Sequence, residues 1–155
     1  MRVILQKEVD KAIHQHALET YNNECCGFLY GTDKNVDRVV CLSIPMDNVQ
    51  NGDQKKRYQI SPLDYMKAEK FAIEKQFTLL GVYHSHPDHP AVPSEYDTSH
   101  AMPFFSYVII SVVNGKIKNA TSWKLNDKRN FVEEVLCVKL NSTVKINQNK
   151  EVIYG

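Results

Sequence analysis

The stretch Leu79-Leu80-Gly81-Val82-Tyr83-His84-Ser85-His86-Pro87 constrains this chain more than any other. An apolar run of strand length carries two histidines two residues apart and is stopped by a proline. Side chains at i and i+2 of a strand share one face and stand about 6–7 Å apart. His84 and His86 can therefore lean toward one point while Ser85 faces the other way. Downstream, Pro93-Ser94-Glu95-Tyr96-Asp97 reads as a capping box, with Ser94 opening a short helix and Asp97 returning the bond. A short helix after a proline-rich loop is a rigid means of bringing a carboxylate back to the strand end. Two imidazoles and a carboxylate supply three protein ligands for Zn²⁺ and leave the fourth tetrahedral position to water. The expected cofactor is one zinc ion per chain.

The 155 residues suit one domain able to bury its own core, and 43% hydrophobic with 24% charged residues is ordinary globular composition. A net charge of +1 offers no field for nucleic acid or an anionic membrane, so neither is an expected partner. No apolar run approaches the roughly 20 residues of a membrane span. The first residues, Met1-Arg2-Val3-Ile4-Leu5-Gln6-Lys7-Glu8, become charged too soon for a signal peptide. Cys25, Cys26, Cys41 and Cys137 form no spaced disulfide framework, and two of them are adjacent. A reducing, cytoplasmic setting is expected.

In chain order, Val3-Ile4-Leu5 predicts an opening strand, and Val9, Ala12, Ile13, His16, Ala17 and Thr20 share one face of a following helix. His14 lies off that face, and both helical histidines are read as structural. Glu24 to Gly31 predicts a buried strand, and Val36 to Pro45 its antiparallel return across the turn residues Thr32 to Asn35. Met46 to Arg57 is polar and reads as a mobile surface loop, with a short strand expected at Tyr58-Gln59-Ile60. Ser61-Pro62-Leu63-Asp64 announces a helix, with serine at the cap, proline at the first position and an acid three residues after the cap. Phe77 to His86 is the central strand. Phe104 to Val113, Lys116 to Leu125 and Phe131 to Lys139 are three more, the first two joined at Asn114-Gly115 as a hairpin. Residues 141–155 read as a tail or terminal strand of the same domain, whose body is 1–140.

A zinc hydrolase also needs a base for the attacking water, outside the ligand set and in a partly dry site. Glu24, Glu95 and Asp88 are candidates. Glu24 begins an otherwise apolar strand, where an unpaired carboxylate is expensive. Cys25 and Cys26 suggest a rival, a thiol nucleophile with a histidine base, although a buried strand cysteine beside Phe28 and Leu29 is ordinarily inert packing. His89 and His100 flank the site on its loops and read as exposed.

His84-Ser85-His86-Pro87, six residues, then Ser94-x-x-Asp97 resembles the His-x-His-Pro-x6-Ser-x-x-Asp signature of the JAMM (MPN-plus) metallopeptidases. Glu24-x-Cys26-Gly27 resembles that family's upstream glutamate segment. The resemblance covers most of the chain, from the first strand to about Lys139, and every motif position is filled. It implies an α/β (α+β) single domain of MPN/JAMM type, with a curved, mostly antiparallel central sheet flanked by helices. It further implies that His84, His86 and Asp97 bind zinc and that Glu24 polarises the attacking water and shuttles its proton. Ser94 would donate a hydrogen bond to the oxyanion. The compact chain, with Tyr83 to Ala91, Ser122-Trp123-Lys124-Leu125 and Phe131-Val132-Glu133-Glu134, is most similar to the small stand-alone bacterial branch. The implied substrate is the C-terminal Gly-Gly of a ubiquitin-like protein, a sulfur carrier trimmed of extra residues or of a cysteine adduct. Deconjugation of a ubiquitin-like modifier in a defence or regulatory pathway uses the same chemistry, and a non-catalytic scaffold is the rival of another class. A tail without side chains can lie extended beside a strand edge. Met46–Arg57 and Thr98–Pro103 are expected to border that groove.

Overall fold

The computed structural model describes residues 1–139 and the backbone of residues 151–154. The elements run β1 (Arg2–Gln6), α1 (Lys7–Thr20), β2 (Cys26–Asp33), β3 (Asp37–Met46), α2 (Pro62–Lys75), β4 (Thr78–Pro87), α3 (Glu95–His100), β5 (Ser106–Val113), β6 (Lys116–Leu125), β7 (Phe131–Lys139) and β8 (Glu151–Tyr154). This is a mixed α+β domain dominated by its sheet. Residues 140–150 and 155, on which most of the expected tail falls, lie outside the described residues; β8 pairs antiparallel with β7.

A curved, mostly antiparallel sheet is expected, and the observed sheet closes on itself. Its order is β1-β3-β2-β4-β5-β6-β7, and β7 pairs back to β1 from Arg2↔Val135 to Gln6↔Lys139, closing seven strands into a barrel-like ring. The cause is β1, which pairs in parallel with β3 on one side and β7 on the other. Both of its edges are thereby satisfied and Val3 and Leu5 become fully buried. The pairing remains mostly antiparallel, the exceptions among the described residues being β1–β3, β1–β7 and β4–β5.

Alternation along the strands sorts the core into two clusters. Val9, Ile13 and Ala17 of α1 pack on Leu29, Leu80, Tyr83, Val108 and Ile110. Ala68 and Ala72 of α2 pack on Phe28, Tyr30 and Val82. The capping signals act as read: Ser61 Oγ accepts from the Asp64 amide at 3.1 Å, and Pro62 opens α2. Asn114 and Gly115 take φ of 52° and 76°, the primed turn a two-residue hairpin requires. Tyr58-Gln59-Ile60 forms no strand; Ile60 is buried in the α2-side cluster and Tyr58 packs on the site described next.

Candidate metal centre

Within β4, residues 82, 84 and 86 face the α2 side while Tyr83 and Ser85 face α1. Tyr83 places its hydroxyl 2.7 Å from His16 Nδ1, and Ser85 Oγ accepts from the Cys25 amide at 2.8 Å. His84 and His86 are buried to 1% exposure or less, and their Nε2 atoms stand 3.2 Å apart. Asp97 Oδ2 completes a triangle, 3.4 Å from His84 Nε2 and 3.1 Å from His86 Nε2. Four donors set tetrahedrally at about 2.0–2.1 Å from a zinc ion lie about 3.3–3.4 Å from one another. The edges of this triangle, 3.1, 3.2 and 3.4 Å, come within about 0.2 Å of that length, so the donor set fits the ion.

The second layer aims these donors. His86 Nδ1–H donates to the Pro90 carbonyl at 2.7 Å, which fixes the tautomer and leaves Nε2 bare toward the triangle. The capping box of α3 holds Asp97: the Ser94 amide donates to Asp97 Oδ2 at 2.9 Å, and the Asp97 amide donates to Ser94 Oγ at 3.0 Å. Burial acts to raise the Asp97 carboxyl, but the adjoining His84 and His86 rings and the Ser94 amide hold it well below the usual carboxylate range. The helix dipole at this end favours the same charge.

Glu24 lies just before β2, 1% exposed, and neither carboxylate oxygen has a hydrogen-bond partner. Burial pushes its carboxyl up to about 9, with Asp97 and Asp53 adding like charge. One of its oxygens lies within 4.8 Å of ring nitrogens of both His86 and His89. A buried, unpartnered acid costs stability unless something polar or positive enters beside it. The orphaned carboxylate beside the triangle is a second feature, independent of the donor distances, that suits a cation-binding site.

A family model described as the prokaryotic homologues of the JAB domain (Prok-JAB) matches residues 6–126. The chain belongs to this family. It is 36% identical over 94 residues to a Thermus thermophilus protein named as a probable TtuB-protein conjugate cleaving protease, covering 61% of this chain and 60% of that one. It is 35% identical over 92 residues to tail tip assembly protein K of Escherichia phage N15, covering 59% of this chain and 33% of that protein. The chain thus spans three fifths and one third of these curated relatives. A solution structure of a Desulfitobacterium hafniense protein superimposes with a TM-score of 0.78 at 28% identity, covering 90% of this chain and 94% of the other. One from Salinibacter ruber does so with 0.66 at 34% identity, covering 94% and 95%.

In this JAB domain all five residues singled out from the sequence gather at one place. The other candidate bases do not compete with Glu24. The Asp88 carboxylate is exposed and accepts from the Tyr21 hydroxyl at 2.7 and 2.8 Å and from the Asn114 amide at 2.9 Å, while Glu95 is exposed on α3. Burial pushes the Cys25 thiol up to about 11 and raises Cys26 further still, so neither is a nucleophile at neutral pH. Sequence reasoning missed three supports. Tyr58 stacks on His84 with ring centroids 4.5 Å apart. His89, expected to be exposed, is half-buried and stacks on His86 at 4.2 Å, its Nδ1–H donating to the Pro87 carbonyl at 2.8 Å.

The third support is the polar loop. Rather than hanging free, it grips both sides of Glu24: the Glu24 amide donates to the Gln54 carbonyl at 2.7 Å, and Asn48 Nδ2 donates to the Glu24 carbonyl at 3.1 Å. Asn48 Oδ1 accepts from the Gln50 and Gln59 amides, drawing the two ends of the loop together. Two cavities open beside the triangle. One of about 350 Å³ is mainly apolar and includes Tyr58, Ile60, Tyr65, Asp97, His100 and Met102. The other, of about 640 Å³, includes Lys55, Lys56, Asp88, His89 and Ser94.

Proposed function

We propose that this JAB domain is a zinc-dependent peptidase or isopeptidase cutting at the C-terminal Gly-Gly of a ubiquitin-like protein, a sulfur carrier foremost. The observation that carries the reading is the triangle of donors with an unpartnered, buried Glu24 beside it. His84, His86 and Asp97 would hold the ion, which when bound lowers the pKa of water toward about 7 and polarises a carbonyl. Glu24 takes the proton of the attacking water at its carboxylate, and later delivers it to the departing amine. Ser94 Oγ accepts from the Asp97 amide, which leaves its own hydroxyl proton free for the developing oxyanion. Tyr58 and the surrounding burial keep bulk water from the imidazoles.

The apolar cavity supports placing the carrier's tail on the side of His100 and Met102, and Lys55 and Lys56 put the end of the polar loop at the other cavity. The relative named as cleaving protein conjugates supports cutting at a junction between a carrier and a second group. It favours, as a second reading, deconjugation of a ubiquitin-like modifier. The test is incubation of zinc-loaded protein with carrier–Gly-Gly fusions, read by intact mass. Cleavage after Gly-Gly is expected from the wild type, with Glu24→Gln retaining zinc and losing turnover. Wild-type activity in Glu24→Gln removes Glu24 from the mechanism; zinc binding without cleavage of any carrier assigns the domain another substrate, and no zinc with no cleavage assigns a scaffold.

A further inference from the structure

We propose that Glu24 and His89 form a second metal site beside the triangle, and that a zinc ion bound there inhibits the domain. This rests on the proposed peptidase activity and adds a means of regulating it. Ring nitrogens of His86 and His89 and a carboxylate oxygen of Glu24 lie within 4.8 Å of one another. His86 Nε2 belongs to the triangle, so Glu24 and His89 are the two donors left for another ion. His89 Nδ1–H donates to the Pro87 carbonyl at 2.8 Å, so the lone pair of the neutral ring sits on Nε2. The ring is half-buried, stacked on His86 at 4.2 Å, in the wall of the cavity of about 640 Å³ that also reaches Ser94. That cavity gives an ion a way in and gives it solvent to complete its coordination.

Glu24 supplies a second, independent observation. It is 1% exposed, and no donor meets either of its oxygens. Asp97 and Asp53 add negative charge around it. An imidazole nitrogen with a carboxylate oxygen suits zinc and its transition-metal neighbours better than magnesium or calcium. Donors on one tetrahedral zinc ion stand about 3.3–3.4 Å apart, so closing this pair takes a shift of at most about 1.5 Å. Two protein donors beside an occupied triangle hold an ion less tightly than three, so the second ion enters only when zinc is in excess. Its effect follows from the role of Glu24. The bound ion sends the Glu24 proton to solvent and takes up the lone pair that would accept a proton from the attacking water. Hydrolysis then stops with the first ion still in place.

The test is calorimetric titration of zinc into metal-free wild type, His89→Phe, Glu24→Gln and His84→Ala, with cleavage of a carrier–Gly-Gly fusion followed in parallel. His89→Phe keeps a ring against His86 and removes the nitrogen. The wild type is expected to take up one zinc tightly and a second weakly, and His89→Phe and Glu24→Gln only the tight one. Wild-type cleavage should be highest with one zinc and fall as the second binds. Half-inhibition of His89→Phe, measured against its own maximum, should need at least about tenfold more zinc, since even an outer partner of a metal ligand is worth about that much in affinity. A single zinc that is lost in His84→Ala and kept in His89→Phe overturns the proposal and leaves the triangle standing. A single zinc lost in His89→Phe and kept in His84→Ala supports this site and overturns the triangle. A second zinc that His89→Phe still binds, or that leaves wild-type cleavage undiminished, overturns the proposal. If no carrier is cut, the peptidase reading fails and the stoichiometries alone decide the site.

Discussion

Glu24 makes the metal-free protein pH-sensitive in an unusual direction, and replacing it with glutamine should reveal this. In the fold the carboxyl is pushed up to about 9 by burial; its ordinary value is 4.5. Between these values the unfolded chain releases a proton that the folded chain keeps, so stability is fully present below the unfolded value and is lost as pH rises through the folded one. Each pH unit in that window removes about 1.4 kcal/mol. From pH 6 to pH 8 the loss is about 2.7 kcal/mol, roughly 5–10 °C in Tm for a domain of this size. Glu24→Gln carries no such proton. The difference between the two proteins also cancels the contributions of His16 and His89, whose rings burial keeps below the usual histidine range. The assay is thermal or urea unfolding of zinc-stripped wild type and variant at both pH values. Wild type should lose stability relative to Glu24→Gln as pH rises, and the variant should be the more stable at pH 8. Parallel pH profiles would refute the claim that Glu24 stands buried and unpartnered.

Two further outcomes follow from the same geometry. Ser94→Ala should lower kcat by about 10²–10³ through loss of an oxyanion donor and, because Ser94 caps α3, lower stability by about 1 kcal/mol; a stability loss with unchanged kcat would leave Ser94 only its cap. Asn48→Ala strips partners from the Glu24 and Arg57 carbonyls and the Gln50 and Gln59 amides, so turnover should fall while zinc content holds, and stability should drop by about 2–3 kcal/mol in urea unfolding.

Much of this site was legible because its chemistry is local. The period of two along β4 settles that His84 and His86 share a face, and a capping box four residues long settles where Asp97 points. The Asn114-Gly115 turn and the Ser61 cap are equally short-range signals. What escaped was long-range. Nothing in Arg2 to Gln6 says that its second edge meets β7, more than a hundred residues on, so the closed ring could not be read. Tyr58 looked like a strand residue because aromatic and β-branched neighbours suit a strand, yet its ring is claimed by His84. The polar composition of Met46 to Arg57 suggested mobility, although asparagine and glutamine there carry the donors that grip Glu24. His89 gave one faint signal, a third histidine immediately after a motif that already ends a buried strand.

The central claim is that His84, His86 and Asp97 converge on one zinc ion, and X-ray absorption with metal analysis of the purified protein tests it most directly. One zinc per chain is expected, bound by two imidazole nitrogens and carboxylate oxygen at about 2.0–2.2 Å, and lost in His84→Ala and Asp97→Ala. A wild-type protein that takes up no zinc, or variants that keep it, would contradict the claim.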